Sequence, residues 1–318
     1  MKAYLWAPSN NGRDLSDESK KRGIKRLEKM GYDIIIDPNI DEDYLQLGIN
    51  KPSNIVKFFS SFIKSYEPAI LIPFYGGLTS NLHLEMISNE VNNKEGKIVC
   101  GKSDLTSLLN SIYSKYALIS IYGIDLSHIS NPNLCETDLD IIKKALNKEE
   151  FEFNCPEVYN DGYWYIGKRD NHKHATWSYL NDIKREKGQI SGYVVGGNLE
   201  SLCTTIGTEF AMDFTDKLVV IESVPNVSPK RFLMNFKHLI MGSNLLAAKA
   251  LLIGKFGQDS ILNKKHILKN LLVNEFNITN IPILCNIDFS HTEPSFPFYI
   301  GGHLTIDIKF QKMKVSYK

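Results

Sequence analysis

The chain has 318 residues and a mass of 36.1 kDa, and at roughly 150 residues per domain this length predicts two domains. Hydrophobic residues make up 43% and charged residues 23%, so the chain can bury a sizeable core and a disordered main state is excluded. The 37 Lys and Arg residues nearly balance 36 Asp and Glu residues, which leaves a net charge of +1. Without a positive excess, neither nucleic acid nor an anionic membrane surface is an expected partner.

Cysteine usage and hydropathy favour a cytoplasmic protein. The five cysteines are scattered and form no C-x-x-C pair, which argues against a disulfide framework or a structural zinc site and fits a reducing compartment. No apolar stretch approaches the ~20 residues that a transmembrane helix needs. The N-terminal apolar stretch is also too short for the hydrophobic region of a signal peptide.

The first 125 residues alternate short apolar runs with amphipathic helical patterns. We predict strands over residues 3–6, 33–36, 69–73 and 97–100, and helices over residues 17–30 and 55–65. A regular succession of strand, turn and helix predicts a parallel sheet covered by helices on both faces. Ligands of such α/β sheets bind beyond the carboxyl ends of the strands, so candidate residues are sought there.

The rest of the chain has a different pattern. Residues 130–185 are polar and rich in Asn, Lys, Tyr and Trp, which is typical of a connector with a mobile, aromatic-bearing loop. From residue 188 we predict a smaller α+β domain with strands over 192–195, 218–221, 248–253, 281–285 and 302–308 and helices over 229–241 and 264–274. The predicted division is an N-terminal domain over 1–145, a connector over 146–187 and a C-terminal domain over 188–318.

The segment Gly101-Lys102-Ser103-Asp104 follows an apolar strand and runs directly into a helical pattern. A serine between a strand and a helix N-terminus is typical of a nucleophile elbow, where the helix dipole stabilises negative charge. The alternative is that Ser103 or Asp104 only caps the helix, which both residue types do often. Taken alone, the motif favours the cap, because the second glycine of G-x-S-x-G is missing.

Four further features carry candidate groups. Gly76-Gly77 follows a strand and could present N–H groups to an oxyanion, although a tight turn is the simpler explanation. Glu222 ends an apolar strand and either faces water at the rim or needs a buried partner. His291 lies in a loop between two strands, where most histidines are ordinary surface residues. The pair His172 and His174 has spacing that a metal site could use, but its polar loop favours a solvated pair.

Together these motifs resemble the LD-carboxypeptidase family of serine peptidases. The elbow Gly101–Asp104 is similar to the family's G-Y-S-D, and Gly76-Gly77 matches its upstream glycine loop. The family's G-G-N-L motif stands here as Gly196-Gly197-Asn198-Leu199. Its strand-borne Glu and its catalytic His match Glu222 and His291. The order and rough spacing of the motifs agree along nearly the whole chain.

Within the family, the closer resemblance is to a branch that gives self-immunity to a nucleotide antibiotic. That branch carries Ser-His-Thr at the histidine, as in Ser290-His291-Thr292, and its glycine loop continues into Ser80-Asn81. Its nucleophile helix is followed by motifs that stand here as Ile112-Tyr113 and Tyr122-Gly123.

Four positions depart from the family pattern. Lys102 replaces the usual Tyr of the elbow, and Tyr75 stands where the peptidoglycan enzymes commonly carry Arg. Ser223 replaces an Asp, and Asn226 replaces a Lys that contacts substrate in the immunity branch. The departures leave the catalytic positions intact and bear on the identity of the substrate.

The resemblance implies a flavodoxin-like N-terminal α/β domain, a smaller β-rich C-terminal domain, a homodimer and an active site between the domains. Ser103 is then the nucleophile, His291 the general base and Glu222 the group that orients the imidazole. The N–H groups of Asp104 and Gly77 would form the oxyanion hole. No metal ion and no cofactor is expected to take part.

The resemblance also implies where the substrate would bind. Five residues are expected to contact it: Gly76, Ser80, Asn81, Trp164 and Asn198. Four aromatic residues could form a platform for a nucleobase: Tyr159, Tyr163, Trp164 and Trp177. The alternative for these aromatic side chains is ordinary packing beneath a lid, which the sequence slightly favours.

Three functions remain open. The first is hydrolysis of an amide in a toxic aminoacyl nucleotide or peptide antibiotic, and the second is release of the terminal D-Ala from a murein tetrapeptide. The third is binding of such ligands without catalysis, which the altered elbow residue Lys102 keeps open. The expected partner is in each case a small peptide or an aminoacyl nucleotide.

Overall fold

The structure is a computed structural model that describes residues 1–91, 94–166, 172–173, 176–181, 183 and 188–318. In the first half of the chain, strands alternate with helices. The strands are β1 Lys2–Trp6, β2 Asp33–Ile36, β3 Ala69–Pro73, β4 Lys97–Gly101 and β5 Ser120–Tyr122. The helices are α1 Asp17–Lys29, α2 Pro52–Lys64, α3 Leu84–Glu90, α4 Thr106–Tyr116, α5 Leu126–Ser130 and α6 Glu136–Leu146.

The second half of the chain is rich in strands. These are β6 Phe151–Asn154, β7 Val158–Tyr159, β8 His172–Lys173, β9 Ser178–Tyr179, β10 Gln189–Asn198, β11 Leu218–Glu222, β12 Ala250–Gly254, β13 Ile283–Ile287, β14 Phe298–Ile300, β15 His303–Asp307 and β16 Lys312–Ser316. The helices are α7 Leu199–Cys203, α8 Pro229–Gly242 and α9 Lys265–Lys269, and α9 continues into a π-helix, Asn270–Glu275. No helix in the described part of the chain is long and apolar enough to cross a membrane.

Local sequence explains where the main helices of the first half begin. The hydroxyl of Ser16 accepts a hydrogen bond from the backbone N–H of Ser19 and so caps α1. Pro52 stands at the first turn of α2, where its missing N–H is tolerated. Helix α2 then buries an apolar stripe against the sheet, with Phe59 and Phe62 fully buried.

Among the described residues, the first sheet has the strand order β14-β5-β4-β3-β1-β2. Strands β1 to β5 pair in parallel in the order 2-1-3-4-5 of flavodoxin-like folds, so the predicted parallel N-terminal sheet is confirmed. Strand β14 comes from the second half of the chain and pairs antiparallel with β5. Loops that leave the carboxyl ends of β1, β3 and β4 therefore meet at one edge of the sheet.

The second sheet has the order β6-β16-β15-β10-β11-β12-β13-β9 within the described residues. Its centre is parallel, since β10, β11, β12 and β13 pair in parallel, and its flanks are antiparallel. Strand β10 is longer than the predicted strand 192–195 because its first part pairs with β15 and its second part with β11. The predicted α/β class with a β-rich second half is confirmed.

The polar segment 130–185 contributes more regular structure than a connector would. Strand β6 alternates buried Phe151 and Phe153 with exposed Glu152 and Asn154, and it pairs with β16. The ring of Phe153 stacks on Phe296 with centroids 3.9 Å apart. Such alternation is the pattern of a half-buried strand, and the charged neighbours masked it in the sequence.

Candidate active site

Ser103 lies on a sharp turn between strand β4 and helix α4. A short 3₁₀ turn, Ser103–Leu105, joins the two elements, and Ser103 adopts a left-handed conformation with φ of +59°. Non-glycine residues adopt this conformation rarely, and such strain concentrates at functional sites. The backbone N–H of Ser103 donates to the hydroxyl oxygen of Tyr122 at 3.1 Å. The segment has the geometry of a nucleophile elbow.

The alternative role of Ser103 and Asp104, capping of the helix, is not seen in this fully described segment. Neither the 3₁₀ turn nor α4 begins with a side-chain cap. The carboxylate of Asp104 instead accepts from Ser9 Oγ at 2.6 Å and from Ser80 N at 2.8 Å. Asp104 thereby connects the elbow to the loops that follow β1 and β3.

The glycines of the loop after β3 lie directly against the elbow. A Cβ atom at Gly76 would come within 2.9 Å of the Ser103 Cβ. Gly77 has φ of +155°, and a Cβ there would lie 2.3 Å from both Ser9 Oγ and Asn10 Oδ1. The loop after β3 can approach the elbow and the loop after β1 this closely only with glycine at both positions. The two glycines therefore serve this close packing as well as a turn.

Glu222 and His291 form a hydrogen-bonded pair, and His291 lines the same cavity as Ser103. The Nδ1 atom of His291 lies 2.5 Å from Glu222 Oε2, and Glu222 Oε1 accepts from the Tyr122 hydroxyl at 2.7 Å. Glu222 is 1% exposed at the end of β11, whereas the His291 side chain is 18% exposed. Glu222 is thus a buried, partnered carboxylate and not a rim residue that faces water.

The electrostatics of this pair keep Glu222 ionised. Burial pushes its pKa up, but the neighbouring His291 and the hydrogen bonds from His291 and Tyr122 oppose it, so that the pKa of Glu222 lies below its usual value. Burial and the nearby Glu222 carboxylate raise the pKa of Tyr122 well above its usual range. Tyr122 therefore remains protonated and donates to a carboxylate.

Ser103 and His291 line one cavity of about 270 Å³ together with Gly76 and Gly77. Among the hydrogen bonds of the described residues, none joins the Ser103 hydroxyl to His291. Such bonds are often long in unliganded hydrolases and tighten when substrate binds. The cavity therefore brings the two side chains to a common space without yet joining them.

The residues that were expected to contact substrate fall into two groups. Gly76 and Trp164 line the cavity. Ser80 is fully buried, and its hydroxyl donates to the Asp104 carbonyl at 2.8 Å. Asn198 caps α7 with its side-chain oxygen, and the exposed Asn81 is not among the lining residues. Ser80 and Asn198 support the loops of the site, and their contact with substrate stays a prediction.

The predicted aromatic platform is divided in the structure. Trp164 lies on the cavity wall beside Tyr165, which is 64% exposed. Tyr159 and Trp177 are buried, and the Trp177 indole donates to Asp288 Oδ2 at 2.7 Å. Packing thus accounts for two of the four aromatic residues, while Trp164 remains available to a ligand.

Several cavity residues lack a motif that the sequence could reveal. Asp125 and His128 follow β5, and Glu293 stands two residues beyond His291; all three line the cavity with Lys102. For Asp125 and His128, the position after strand β5 of the parallel sheet was the available signal. Tyr122 was part of a motif in the sequence, but its bonds to both Ser103 and Glu222 depend on the packing of the two halves.

The described residues contain no group of three or more His, Cys, Asp or Glu side chains that could hold a metal ion. Of the histidine pair that the sequence singled out, His174 lies outside the described residues, and only the backbone of His172, in β8, belongs to them.

Comparison with known families agrees with this architecture. The family model of the LD-carboxypeptidase N-terminal domain matches residues 4–123, and that of the LD-carboxypeptidase C-terminal domain matches residues 191–306. The two matches together cover more than half of the chain and contain the elbow, the glycine loop, Glu222 and His291. The chain belongs to the LD-carboxypeptidase family, the S66 peptidases, and is a hydrolase of the serine-peptidase class.

Individual relatives are named either as carboxypeptidases or as a self-immunity protein. The chain is 26% identical to YocD of Bacillus subtilis (strain 168), named as a carboxypeptidase, over 95% of this chain and 92% of YocD. It is 24% identical to the microcin C7 self-immunity protein MccF of Escherichia coli, over 93% of this chain and 87% of MccF. The crystal structure of an MccF-like protein from Bacillus anthracis str. Ames is similar with a TM-score of 0.86 at 23% identity, and it covers 100% of this chain and 97% of that one.

Proposed function

We propose that the chain is an amide hydrolase in which Ser103, His291 and Glu222 form a catalytic triad. The observation that carries the proposal is the shared cavity, where a left-handed serine at a helix start faces an imidazole bound at 2.5 Å to a buried carboxylate. In serine hydrolases this arrangement lets one base serve both the attack and the departure of the leaving group.

In the first half of the reaction, Ser103 Oγ attacks the carbonyl carbon of an amide and its proton passes to Nε2 of His291. Glu222 holds the proton on Nδ1 and stabilises the imidazolium that forms. The N–H groups of Gly77 and Asp104 would bind the oxyanion, and loss of one such donor typically reduces the rate about 10²- to 10³-fold. His291 then returns the proton to the leaving nitrogen as the C–N bond breaks.

In the second half, water attacks the acyl-serine ester and gives up its proton to His291. Collapse of the intermediate releases the carboxylic acid and restores the Ser103 hydroxyl. Every proton transfer passes through one imidazole. The bond between His291 and Glu222 therefore has to hold throughout the cycle.

We propose an aminoacyl nucleotide or related peptide antibiotic as the substrate. MccF has been solved in complex with aspartyl sulfamoyl adenosine and with glutamyl sulfamoyl guanosine, at TM-scores of 0.80 and 0.83 and 21% identity to this chain. Trp164 on the cavity wall could stack on the base of such a ligand. A homodimer and a place in the cytoplasm remain predictions from the sequence.

The second candidate is release of a terminal D-Ala from a murein tetrapeptide. It is favoured by the family match and by the carboxypeptidase relatives, YocD among them. The triad chemistry is identical for both substrates, since each reaction cleaves an acyl–nitrogen bond; the leaving amine is D-Ala in the tetrapeptide and the sulfamoyl nucleoside in the nucleotide. The two substrates would differ only in the contacts that they make with the rest of the cavity.

The test is incubation of the purified protein with aspartyl sulfamoyl adenosine and, separately, with an L-Ala-D-Glu-diamino acid-D-Ala tetrapeptide, with products identified by mass. Release of aspartate would support the immunity-type function, and release of D-Ala would support the carboxypeptidase. Ser103→Ala should lower turnover of the cleaved substrate by several orders of magnitude, about 10⁶-fold in subtilisin. Ser114→Ala, an exposed serine on the same helix, is the matched control and should retain full turnover.

A serine-directed phosphonate separates an enzyme from an inactive ligand-binding protein. Labelling of Ser103 with cleavage of neither substrate would leave the triad in place and move the search to other amides. A protein that neither cleaves nor reacts at Ser103 would be a binding protein, and near-normal turnover in Ser103→Ala would refute the triad.

A further inference from the structure

Three neighbouring parallel strands of the second sheet each end at a buried charged residue. Glu222 ends β11, Lys255 directly follows β12, and Asp288 directly follows β13. Because β11 pairs with β12 and β12 with β13, the three residues lie along one edge of the sheet. Glu222 belongs to the proposed triad. Lys255 and Asp288 do not, although they are only 2% and 0% exposed, and charged residues are rarely buried so deeply without a specific partner.

Lys255 and Asp288 are partners in a buried ion pair. Lys255 Nζ donates to Asp288 Oδ1 at 3.0 Å, and the indole N–H of Trp177 donates to Asp288 Oδ2 at 2.7 Å. Both oxygens of the carboxylate are therefore bound. Burial lowers the pKa of Lys255, and the Asp288 carboxylate opposes this shift, so the pairing favours the charged ammonium.

A buried ion pair contributes little to the stability of a fold. Removing two charges from water costs about as much free energy as their attraction returns, and apolar residues of similar volume are often at least as stable. A pair at such a position can instead fix one particular arrangement of the chain. The segments that the pair connects therefore indicate what it does.

Asp288 stands at the base of the loop that carries His291. We refer to residues 288–296 as the histidine loop. The two ends of this loop are joined, because the backbone N–H of Phe296 donates to the Asp288 carbonyl at 3.0 Å. His291 follows Asp288 by three residues. A side chain that fixes Asp288 therefore also fixes the base from which the imidazole projects.

Lys255 also contacts a segment that lies along the side of the histidine loop. Its Nζ lies 4.4 Å from the centroid of the Tyr159 ring, which is a cation–π contact. The next residue, Asn160, exchanges two backbone hydrogen bonds with Glu293 of the histidine loop, at 2.8 and 2.9 Å. The two contacts of the ammonium thus lead to the same loop from two directions.

Close packing at two glycines leaves the histidine loop little freedom to shift. A Cβ atom at Gly162 would clash with the His291 carbonyl oxygen. A Cβ atom at Gly254, the last residue of β12, would lie 2.8 Å from the Glu222 Cβ and 3.0 Å from the Phe289 carbonyl oxygen. The end of β12 therefore lies against both the carboxylate of the proposed triad and the loop that carries its base.

We propose that Lys255 is a positioning residue for His291. It holds the histidine loop at its base through Asp288 and at its side through Tyr159, and so keeps the imidazole in reach of Glu222. Lys255 is not among the residues that line the cavity, so it acts through the loop and not on the substrate. The inference rests on the proposed hydrolase function and adds a residue that the family motifs in the sequence do not include.

The first variant is Lys255→Met, assayed with whichever of the two candidate substrates the protein cleaves. Since a small misplacement of a catalytic group typically costs up to about 10²-fold in rate, kcat should fall about 10- to 100-fold. KM should stay nearly unchanged, because the cavity wall keeps its residues. The melting temperature should also fall, since the Asp288 carboxylate remains buried without its ammonium.

The double variant Lys255→Met/Asp288→Asn separates positioning from stability. It removes both charges and keeps a side-chain oxygen as acceptor for the Trp177 indole. Without an uncompensated buried charge, much of the melting temperature should return. The kcat should stay low, because no ammonium ties the histidine loop to the end of β12. Recovery of kcat together with the melting temperature would show that the pair only stabilises the fold, and would overturn the proposal.

Lys97→Met is the matched control. Lys97 is also a buried lysine, 1% exposed, and its Nζ donates to the carbonyls of Ser65 and Glu67 at 2.6 and 2.7 Å. It begins β4, at the opposite end of that strand from the elbow. The variant should have a lower melting temperature and an unchanged kcat when assayed well below that temperature. A loss of kcat equal to that of Lys255→Met would overturn the proposal.

Hydrogen exchange measures the position of the loop independently of catalysis. In the double variant, a peptide that covers residues 288–296 should exchange faster than in the wild type, while one that covers residues 17–29 of α1 should not change. Unchanged exchange in the histidine loop, or a normal kcat in the double variant, would count against Lys255 alone. Faster exchange in a protein whose wild type neither cleaves nor is labelled at Ser103 would count against the hydrolase alone.

Discussion

The conformation of Ser103 is the most informative feature at the scale of single residues. A left-handed non-glycine residue costs roughly 1–2 kcal/mol, and Ser103 with φ of +59° has this conformation where β4 meets α4. The contacts of Gly76 and Tyr122 hold it there. The surrounding loops therefore maintain the strained conformation of Ser103. A substitution in one of these loops should disturb it.

Gly77→Ala tests that support. An added Cβ would lie 2.3 Å from Ser9 Oγ and from Asn10 Oδ1, so the loop has to move. Because Gly77 N–H is the proposed oxyanion donor, we expect kcat/KM to fall about 10²- to 10³-fold together with a lower melting temperature. Gly207→Ala is the control, since Gly207 also has positive φ, +81°, but an added Cβ meets no atom within 4 Å. The Gly207→Ala variant should lose some stability and keep its kcat/KM. If both variants have the same kcat/KM, Gly77 is not part of the oxyanion hole.

At the scale of elements, the end of strand β5 joins the two sides of the active site. The buried hydroxyl of Tyr122 accepts from Ser103 N and donates to Glu222, so a single oxygen contacts both the elbow and the carboxylate at the end of β11. Strand β14, from the second half of the chain, pairs with β5 and packs Phe298 against Tyr122 at 5.1 Å between centroids. Tyr122 is thus placed to act as a positioning residue for both.

The variant Tyr122→Phe tests whether the Tyr122 hydroxyl positions Ser103 and Glu222 or only stabilises the fold. It removes the oxygen that contacts both Ser103 N and Glu222. Because misplacement of catalytic groups typically costs up to about 10²-fold in rate, kcat should fall about 10- to 100-fold with KM nearly unchanged. Losing the donor raises the pKa of Glu222, which makes the carboxylate stabilise the imidazolium more strongly. The acid limb of the pH–rate profile should therefore move to higher pH.

Tyr32→Phe is the matched control for this experiment. Tyr32 is a buried tyrosine whose hydroxyl bonds to Asn147 far along the chain from any triad position. It should reproduce the loss of stability without a shift of the pH profile. An unshifted profile in Tyr122→Phe would mean that Tyr122 serves packing alone.

At the scale of the molecule, the two halves of the chain are joined through the elbow helix. The side chain of Asn110 on α4 donates to the Gly196 carbonyl at 3.0 Å and accepts from its N–H at 2.9 Å. The N–H of Asn198 donates to Thr106 Oγ1 at 2.8 Å. Ser103 comes from one half and Glu222 and His291 from the other, so folding and assembly of the site are coupled.

The stability of the molecule should depend on pH through His83. Burial lowers the pKa of His83 from its usual 6.5 to about 4, opposed by the Pro8 carbonyl and by Asp104. Between pH 6.5 and 4 the unfolded chain binds a proton at this position that the folded chain does not. The folded state therefore loses stability as the pH falls through this window, and retains it above pH 6.5.

The substitution His83→Gln should reduce this loss of stability at low pH. Between pH 7.5 and about 4.5 the free energy of unfolding should fall by about 2–3 kcal/mol less in the variant than in the wild type. Urea unfolding at both pH values measures the difference, in which the contributions of all other titrating groups cancel. Parallel pH dependence in the two proteins would show that His83 is not held neutral in the fold.

Much of the secondary structure and the main motifs could be predicted from the sequence. Apolar runs and turn residues placed β1 to β4 and helices α1 and α2 within a few residues of their bounds, because strong local periodicity survives packing. The predicted helix 264–274 is interrupted, since α9 continues as a π-helix. Strand β6 falls in the predicted connector, because it is short and the charged Glu152 separates its two phenylalanines. Boundaries and short edge strands depend on neighbours that lie far away in the chain.

By itself, then, the sequence determined the α/β class, the family and the order of the elbow, glycine loop, Glu222 and His291, because these are local patterns with characteristic spacing. Only the tertiary structure decided which alternative each residue takes: Ser103 is a strained elbow serine and no cap, Glu222 is buried against His291, and Trp177 is core. It also revealed the buried ion pair of Lys255 and Asp288 and the bridging role of Tyr122. Hydrogen bonds and burial in the active site arise between residues that are far apart in the chain, such as Glu222 and His291, 69 positions apart, and Tyr122 and Glu222, 100 positions apart. No local pattern encodes these contacts.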